Sequence, residues 1–198
     1  KEFLEALRAS LYKDIKFPEG YIGENLEGLL FPDTYYIEQD ATAEDIVKIT
    51  LLNFQERTEN YRLLQNSHGL KEYEVIILAS IIEREAQKQK DRELVASVYL
   101  NRIDRDMKLE ACPTVQYAKS EDWGEIDLND IQNTVSTYNT YLYYGLPPTP
   151  IATPSLNSIQ AIINAPKTEY LYFFSNTDGK IFYSETAEEH ERKKQIEL

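Results

Sequence analysis

Two glutamates close a long apolar stretch near the middle of the chain. Residues 75–82 are almost entirely apolar, and Glu83 and Glu85 follow within three positions. The length of the stretch favours a buried helix. A carboxyl group on such a helix is costly to ionise, so burial would raise its pKa and make it a general acid near neutral pH. Proton donors of glycosidases work in this kind of environment.

Helical spacing does not choose between the two glutamates, because each continues a row of apolar positions along the predicted helix. We take Glu83 as the stronger candidate, since it follows the apolar run immediately, and Glu85 as its competitor. The alternative is that both carboxylates are solvated at the end of the helix, beside Arg84 and Lys88.

Several polar and aromatic residues further along the chain could bind a sugar. Asn101 lies 18 residues beyond the first glutamate on the next predicted helix, and it would reach back if the two helices are antiparallel. Gln116, Tyr117, Tyr138 and Asn139 lie in predicted loops and combine amides, hydroxyls and rings. This mixture suits hydrogen bonding and stacking on carbohydrate. Each of them could also be an ordinary turn or surface residue.

The elements that position these residues are mostly helices. Apolar spacing and capping signals predict helices at 1–12, 43–63, 74–87, 91–106 and 156–164, and a last charged helix after Thr186. Two aromatic strands, 170–174 and 181–183, flank a hairpin turn at 176–179, and a short strand is predicted within 26–37. Residues 107–155 are predicted to be mostly loop with short helices. The fold class is therefore α+β, dominated by helix, with a small antiparallel β element.

Composition excludes several classes of function. The 198 residues carry 34 Asp and Glu against 21 Lys and Arg, a net charge of −13, which argues against nucleic acid as a partner. The single cysteine, Cys112, excludes an internal disulfide framework and the multi-cysteine zinc patterns. The two histidines, His68 and His190, lie far apart in sequence and argue against a metal site, so we expect no metal and no cofactor. No apolar run approaches the length of a membrane span.

Seven short motifs, in this order, resemble those of the endolytic murein transglycosylase family, also called YceG-like. They are Leu26-Glu-Gly-Leu-Leu-Phe-Pro-Asp-Thr-Tyr35, Ala79-Ser-Ile-Ile-Glu-Arg-Glu-Ala86, Val95-Ala-Ser-Val-Tyr-Leu-Asn-Arg102, Pro113-Thr-Val-Gln-Tyr117, Tyr138-Asn-Thr-Tyr141, Gly145-Leu-Pro-Pro148 and Ile151-Ala-Thr-Pro154. The resemblance runs from about Leu26 to His190, which is nearly the whole chain.

The resemblance implies a lysozyme-like, mainly helical catalytic core that cuts peptidoglycan glycan strands internally. The product would end in 1,6-anhydro-N-acetylmuramic acid, and the cut would terminate strand elongation. It implies a protein anchored by one N-terminal span in the cell membrane, with its catalytic domain outside the cytoplasm and with penicillin-binding proteins as partners. We expect residues 1–21 to end a LysM-like or linker region, and residues 22–198 to form the catalytic domain. The uncapped start of the chain predicts that this span lies outside the 198 residues.

The resemblance also implies roles for single residues. The family's catalytic glutamate belongs to the stretch that contains Glu83 and Glu85, and we place it at Glu83, because its interval to Asn101 matches that of distantly related germination enzymes. The residues expected to contact substrate are Glu85, Asn101, Thr114, Gln116, Tyr117, Tyr138 and Asn139. A lytic transglycosylase needs one such glutamate, since the C6 hydroxyl of the muramic acid attacks its own C1 and no water is activated.

Three departures from the family pattern are visible. They are Glu110-Ala-Cys112 before the Pro-Thr-Val motif, Thr149 after the double proline, and Ser155 after Ala-Thr-Pro. They weaken the case for substrate contacts by Glu110 and Cys112.

Two other functions stay open on the sequence. One is a muramidase in which Glu83 is the acid and Glu85 or Asp33 places a water. The other is a catalytically silent peptidoglycan-binding or scaffold module.

Overall fold

The chain folds into eight α-helices and one β-hairpin within the residues described by the computed structural model, 2–23, 25–62, 68–119 and 126–198. A short 3₁₀ helix, Ala9–Leu11, follows the first α-helix. The elements in chain order are α1 (Glu2–Ala6), α2 (Ala43–Arg62), α3 (Glu72–Glu85), α4 (Gln89–Asp104), α5 (Cys112–Lys119), α6 (Leu128–Asn133), α7 (Leu156–Ile163), β1 (Tyr172–Ser175), β2 (Ile181–Ser184) and α8 (Ala187–Glu197). The predicted α+β class, dominated by helix, is confirmed.

α3 is the central helix of the fold, as its apolar sequence predicts. Every residue from Ile76 to Ile82 is at most 5% exposed. α4 and α7 pack against it. The Ser80 hydroxyl donates to the Ile77 carbonyl at 2.7 Å and accepts from the Ile151 amide at 3.0 Å, which fastens the segment before α7 to the helix. The C-terminal end of α3, which carries the two glutamates, is therefore held by neighbouring elements.

The hairpin forms where the sequence predicts it. β1 and β2 are antiparallel, with Phe173 opposite Tyr183. The turn between them is closed by the Asn176 side chain, which accepts from the Lys180 amide at 3.0 Å, and Gly179 has the positive φ of 73° that this turn requires. α8 packs on both strands.

The start of the chain differs from the prediction. Instead of one helix over residues 1–12, α1 ends at Ala6, and Arg8 forms an antiparallel bridge with Asn25. The strand predicted within 26–37 is also wrong, since these residues, all described, form turns and irregular backbone. Gly28 has φ of 82° and lies against Pro150, where a Cβ would come within 2.4 Å of the ring. The close approach and the positive φ both require glycine at position 28, and a positive φ is not a strand conformation.

The remaining helices agree with the prediction to within a few residues. Thr42 caps α2 as predicted, since the Asp45 amide donates to its hydroxyl at 3.2 Å and the Asp45 carboxylate accepts from the Thr42 amide at 2.9 Å. Residue 63, the predicted end of this helix, lies outside the described residues. The domain boundary after residue 21 stays a prediction.

Two searches of the described part of the chain were negative. No helix there is long and apolar enough to cross a membrane. No three His, Cys, Asp or Glu side chains there are grouped so that they could hold a metal ion.

Candidate active site

Glu83 and Glu85 point into different surroundings at the end of α3. Two residues along a helix correspond to about 200° of rotation. Consequently Glu83 meets the start of α7 and Arg92 of α4, whereas Glu85 meets Tyr99 further along α4. After Glu85 the backbone turns out of the helix at Ala86, whose φ and ψ of −139° and 140° are extended.

Glu83 is held by four hydrogen bonds from three residues. Its Oε2 accepts from the Ser155 amide at 2.8 Å, the Ser155 hydroxyl at 2.5 Å and the Ser158 hydroxyl at 2.7 Å. Its Oε1 accepts from the Arg92 guanidinium at 3.1 Å. Ser155 is the N-cap of α7, so the carboxylate sits at the positive end of that helix. Glu83 thereby joins α3, α4 and α7.

The pKa of Glu83 lies below its ordinary value, which corrects our expectation of a raised one. Burial acts to raise the pKa, but the hydrogen bonds from Ser155 and Ser158 and the charge of Arg92 together outweigh it. Each of these interactions favours the ionised form. Glu83 is therefore a carboxylate at neutral pH and has no proton to donate.

Glu85 has the properties that the sequence suggested for a general acid. It is partly buried, and its Oε1 accepts a hydrogen bond from the Tyr99 hydroxyl at 2.8 Å. Burial raises the pKa of this carboxyl to about 7, and the Tyr99 bond offsets only part of that rise. A carboxyl group with such a pKa is protonated in a substantial fraction of molecules at neutral pH and can also accept a proton in turn.

A thiol and a phenol complete the surroundings of Glu85. The Cys112 Sγ lies 3.1 Å from the Tyr141 hydroxyl, and both groups interact electrostatically with Glu85. Burial raises the pKa of both Cys112 and Tyr141, so both are neutral at pH 7. Cys112 begins α5, and Tyr141 belongs to the loop before α7. Glu85, Tyr99, Cys112 and Tyr141, which come from α3, α4, α5 and this loop, are together called the Glu85 pocket below.

Two predicted substrate contacts, Thr114 and Asn139, are buried and hydrogen-bonded within the protein, and their contact with substrate stays a prediction. The Thr114 hydroxyl, 0% exposed, donates to the Ala111 carbonyl at 2.7 Å and lies 2.9 Å from the Thr140 hydroxyl. Asn139, also 0% exposed, donates to the carbonyls of Ile131 and Thr134 at 2.9 Å each. These side chains fix the loop that carries Tyr141 against α5.

We expect Asn139→Ala to lower the free energy of unfolding by about 2–3 kcal/mol, because it leaves two partly buried carbonyls and the Tyr141 amide without their partner. Thermal or urea denaturation measures this loss. Asn157→Ala, at an exposed position, is the matched control. Unchanged stability together with weaker glycan binding would instead indicate that Asn139 contacts the substrate.

Of the other predicted contacts, Asn101 lies on α4, Gln116 and Tyr117 lie on α5, and Tyr138 lies in the loop before α7. Asn101 donates to the carbonyls of Thr168 and Tyr170 at 2.9 Å each, so it anchors the chain before β1 rather than reaching back to α3. Tyr117 donates to Glu27 at 2.5 Å, and its ring lies 4.8 Å from that of Tyr138. The Tyr138 hydroxyl lies 2.6 Å from that of Thr149. Gln116 is partly buried on α5.

Arg102 organises the site, and its role was not apparent from the sequence. Its guanidinium is buried, donates to the Leu171 carbonyl at 2.6 Å and to the Leu109 carbonyl at 3.0 Å, and pairs with Glu110 at 2.9 Å. Five donors in a fixed planar arrangement allow such multiple contacts. Arg102 thus holds β1 and the segment before α5 on α4. The only sequence signal that could have indicated this role is the place of Arg102 in the motif Val95–Arg102.

Comparison with known proteins gives consistent matches over nearly the whole chain. A sequence profile of the YceG-like family matches residues 1–196. A Bacillus subtilis protein named endolytic murein transglycosylase is 34% identical over 197 residues, which are 98% of this chain and 52% of that protein. A Streptococcus pneumoniae serotype 2 protein of the same name is 37% identical over 172 residues, 84% of this chain and 31% of that protein.

The fold has a match among solved structures. A YceG-like protein of Listeria monocytogenes, known from a crystal structure, is 33% identical and superposes with a TM-score of 0.86. The match covers 96% of this chain and 66% of that one. The chain spans about half, or less, of the length of the curated relatives it matches.

Proposed function

Because this chain belongs to the YceG-like family, we propose that it is the catalytic part of an endolytic peptidoglycan lytic transglycosylase, with Glu85 as general acid and base. The observation that carries the proposal is the partly buried Glu85 carboxyl, which accepts a hydrogen bond from Tyr99 and lies near Cys112 and Tyr141, since burial there raises its pKa to about 7. The assignment of the catalytic role to Glu83 stays a prediction. The surroundings of Glu85 favour it over Glu83, whose carboxylate is ionised and fully engaged.

The reaction needs one carboxyl group that acts twice. The glycosidic oxygen between N-acetylmuramic acid and N-acetylglucosamine takes the proton of Glu85 as its bond to C1 breaks. The C6 hydroxyl of the same muramic acid then attacks C1, and the Glu85 carboxylate accepts the hydroxyl proton. The attack is intramolecular, so proximity replaces the activation of a water. The carboxyl group ends protonated, ready for the next cut.

Tyr99 is a positioning residue in this scheme. Its ring is buried and lies edge-on to Phe173, with the centroids 5.7 Å apart. The hydroxyl is therefore fixed, and it orients the Glu85 carboxyl while moderating its pKa.

Membership of the family also supports proposals about the whole protein. We propose that a single N-terminal span holds it in the cell membrane, with the catalytic domain on the extracytoplasmic side. It would terminate nascent glycan strands there, alongside penicillin-binding proteins.

The proposal is tested by mass spectrometry of uncrosslinked glycan strands incubated with the full-length protein. We expect new 1,6-anhydro-muramic ends. Free reducing ends would indicate a muramidase instead. Persistent binding by a folded protein without any cleavage would indicate a binding module.

The pH dependence of the reaction follows from the pKa of Glu85. We expect kcat/KM to fall about tenfold per pH unit above pH 7, because the proton donor is lost there. Initial rates of anhydro-end formation between pH 5 and 9 measure this descending limb of the pH–rate profile. A limb near the ordinary pKa of a glutamate would contradict the assignment.

Tyr99→Phe should move that limb upward by about one pH unit, because the mutation removes a hydrogen bond that favours ionised Glu85. The ring stays in place, so the fold is conserved. The same pH series measures the shift. Tyr170→Phe, which changes a phenol outside this pocket, should leave the limb where it is.

A further inference from the structure

We propose that Tyr144 and Lys108 form a subsite for an anionic glycan strand beside the Glu85 pocket, which deepens the proposed function and rests on it. Tyr144 is 70% exposed, an unusual exposure for an aromatic ring on an ordered loop. The Lys108 ammonium lies over this ring, 5.2 Å from its centroid. The exposed fraction leaves the opposite face of the ring open to a ligand.

The subsite is connected to the catalytic pocket by a short and well-anchored segment. Tyr144 lies three residues after Tyr141, which lines the Glu85 pocket, so their Cα atoms are at most about 11 Å apart. The Asn139 carbonyl accepts from the amides of Leu142 and Tyr143 at 3.0 Å each. A strand bound at the pocket would pass within one or two sugar units of the open ring.

Lys108 is fastened to the same pocket from the other side. Its own carbonyl accepts from the buried Arg102 guanidinium at 3.0 Å. Two positions further, the Glu110 amide donates to the Thr140 carbonyl at 3.2 Å, which ties this segment to the loop of Tyr144. The cation and the ring are thus held together before any ligand binds, which limits the entropic cost of binding.

The chemistry of the pair suits the muramic acid residues of peptidoglycan. An aromatic face stacks against the apolar C–H face of a pyranose ring. A lysine ammonium binds carboxylates, and the lactyl groups or peptide stems of muramic acid supply them. Within the described residues, no carboxylate makes a salt bridge with Lys108, so its charge is available. The net charge of the chain is −13, so the attraction for a carboxylate at this place is the local one of the Lys108 ammonium.

The test measures binding separately from cleavage, in the full-length protein carrying Glu85→Gln. With peptidoglycan glycan strands as the probe, we expect Tyr144→Ala to raise Kd about tenfold and Tyr144→Phe to leave it nearly unchanged. Lys108→Gln should raise Kd about threefold to tenfold at low salt. Tyr36→Ala, which removes a ring that is 98% exposed, is the matched control and should have no effect.

A probe without charge separates the stacking role of Tyr144 from the charge role of Lys108. With oligomers of N-acetylglucosamine, which carry no carboxylate, Tyr144→Ala should still weaken binding and Lys108→Gln should not. Equal loss with both probes in Lys108→Gln would overturn the charge role, and parent-like binding by Tyr144→Ala would overturn the subsite.

The subsite and the lytic reaction can fail independently. If the parent cuts strands and Tyr144→Ala binds and cuts them equally well, the subsite is wrong and the proposed function stands. If the parent does not cut but Tyr144→Ala loses binding, the subsite stands without the reaction.

Discussion

Glu85→Gln is expected to abolish the formation of anhydro-muramic ends and at the same time to stabilise the folded chain at neutral pH. The loss of activity should exceed a thousandfold, since an amide can neither donate the proton to the leaving oxygen nor accept one from the C6 hydroxyl. The amide oxygen can still accept the hydrogen bond from Tyr99, so the pocket keeps its shape. Mass spectrometry of the glycan products measures the loss.

The gain in stability follows from the raised pKa of Glu85. Folding raises this pKa from 4.5 to about 7, so the native state holds the proton more tightly than the unfolded state. Between these values the unfolded chain ionises first, and the free energy of unfolding falls as pH rises. Above pH 7 the full penalty remains, about 3 kcal/mol for such a shift. Glutamine carries no such penalty.

Urea denaturation of parent and Glu85→Gln from pH 4 to 8 measures this difference. It should be close to zero at pH 4 and reach its maximum near pH 7. Glu56→Gln, at an exposed position of α2, controls for the removal of one negative charge from an acidic chain. A stability difference that does not vary with pH would show that Glu85 has an ordinary pKa in the folded state.

Much of the architecture could be predicted because its causes are local. The apolar residues 75–82 specify a buried helix whatever surrounds them, and Thr42 with Asp45 marks the start of α2 through contacts three residues apart. The hairpin turn depends on Asn176 and Gly179, which lie within the turn itself. The turn at Gly28, within the range 26–37 predicted to hold a strand, packs against Pro150, which lies 122 positions away and gives no local signal.

The functional class could be reached by resemblance, whereas the roles of the two glutamates could not be resolved from the sequence. Periodicity places both at the end of the same helix. What separates them is Ser155 and Ser158, which lie more than 70 residues further along the chain and reach only Glu83. The interval to Asn101 favoured Glu83, but the amide of Asn101 is engaged with the segment before β1. A spacing rule carries no information about such partners.

Glu83→Gln is expected to have the opposite profile, with lower stability and activity retained in the molecules that remain folded. The mutation removes the charge that accepts three hydrogen bonds at the start of α7 and pairs with Arg92, whose side chain is 11% exposed. Leaving a buried guanidinium without its anion is costly, so we expect a loss of about 2–4 kcal/mol at pH 7. Denaturation at pH 7 measures it.

The pH dependence and a double mutant distinguish this role of Glu83 from a catalytic one. Folding lowers the pKa of Glu83, so its contribution to stability is present above about pH 4.5 and is lost as pH falls through the folded pKa. The difference in free energy of unfolding between the parent and Glu83→Gln should therefore narrow below pH 4.5.

When Glu83→Gln is combined with Ser158→Ala, the losses in free energy of unfolding should be less than additive, because both changes break the same contact. Per folded molecule, Glu83→Gln should keep at least about a tenth of the parent rate, since the proton donor is intact. A folded Glu83→Gln without any cleavage would make Glu83 the acid and leave Glu85 as a residue of the pocket wall.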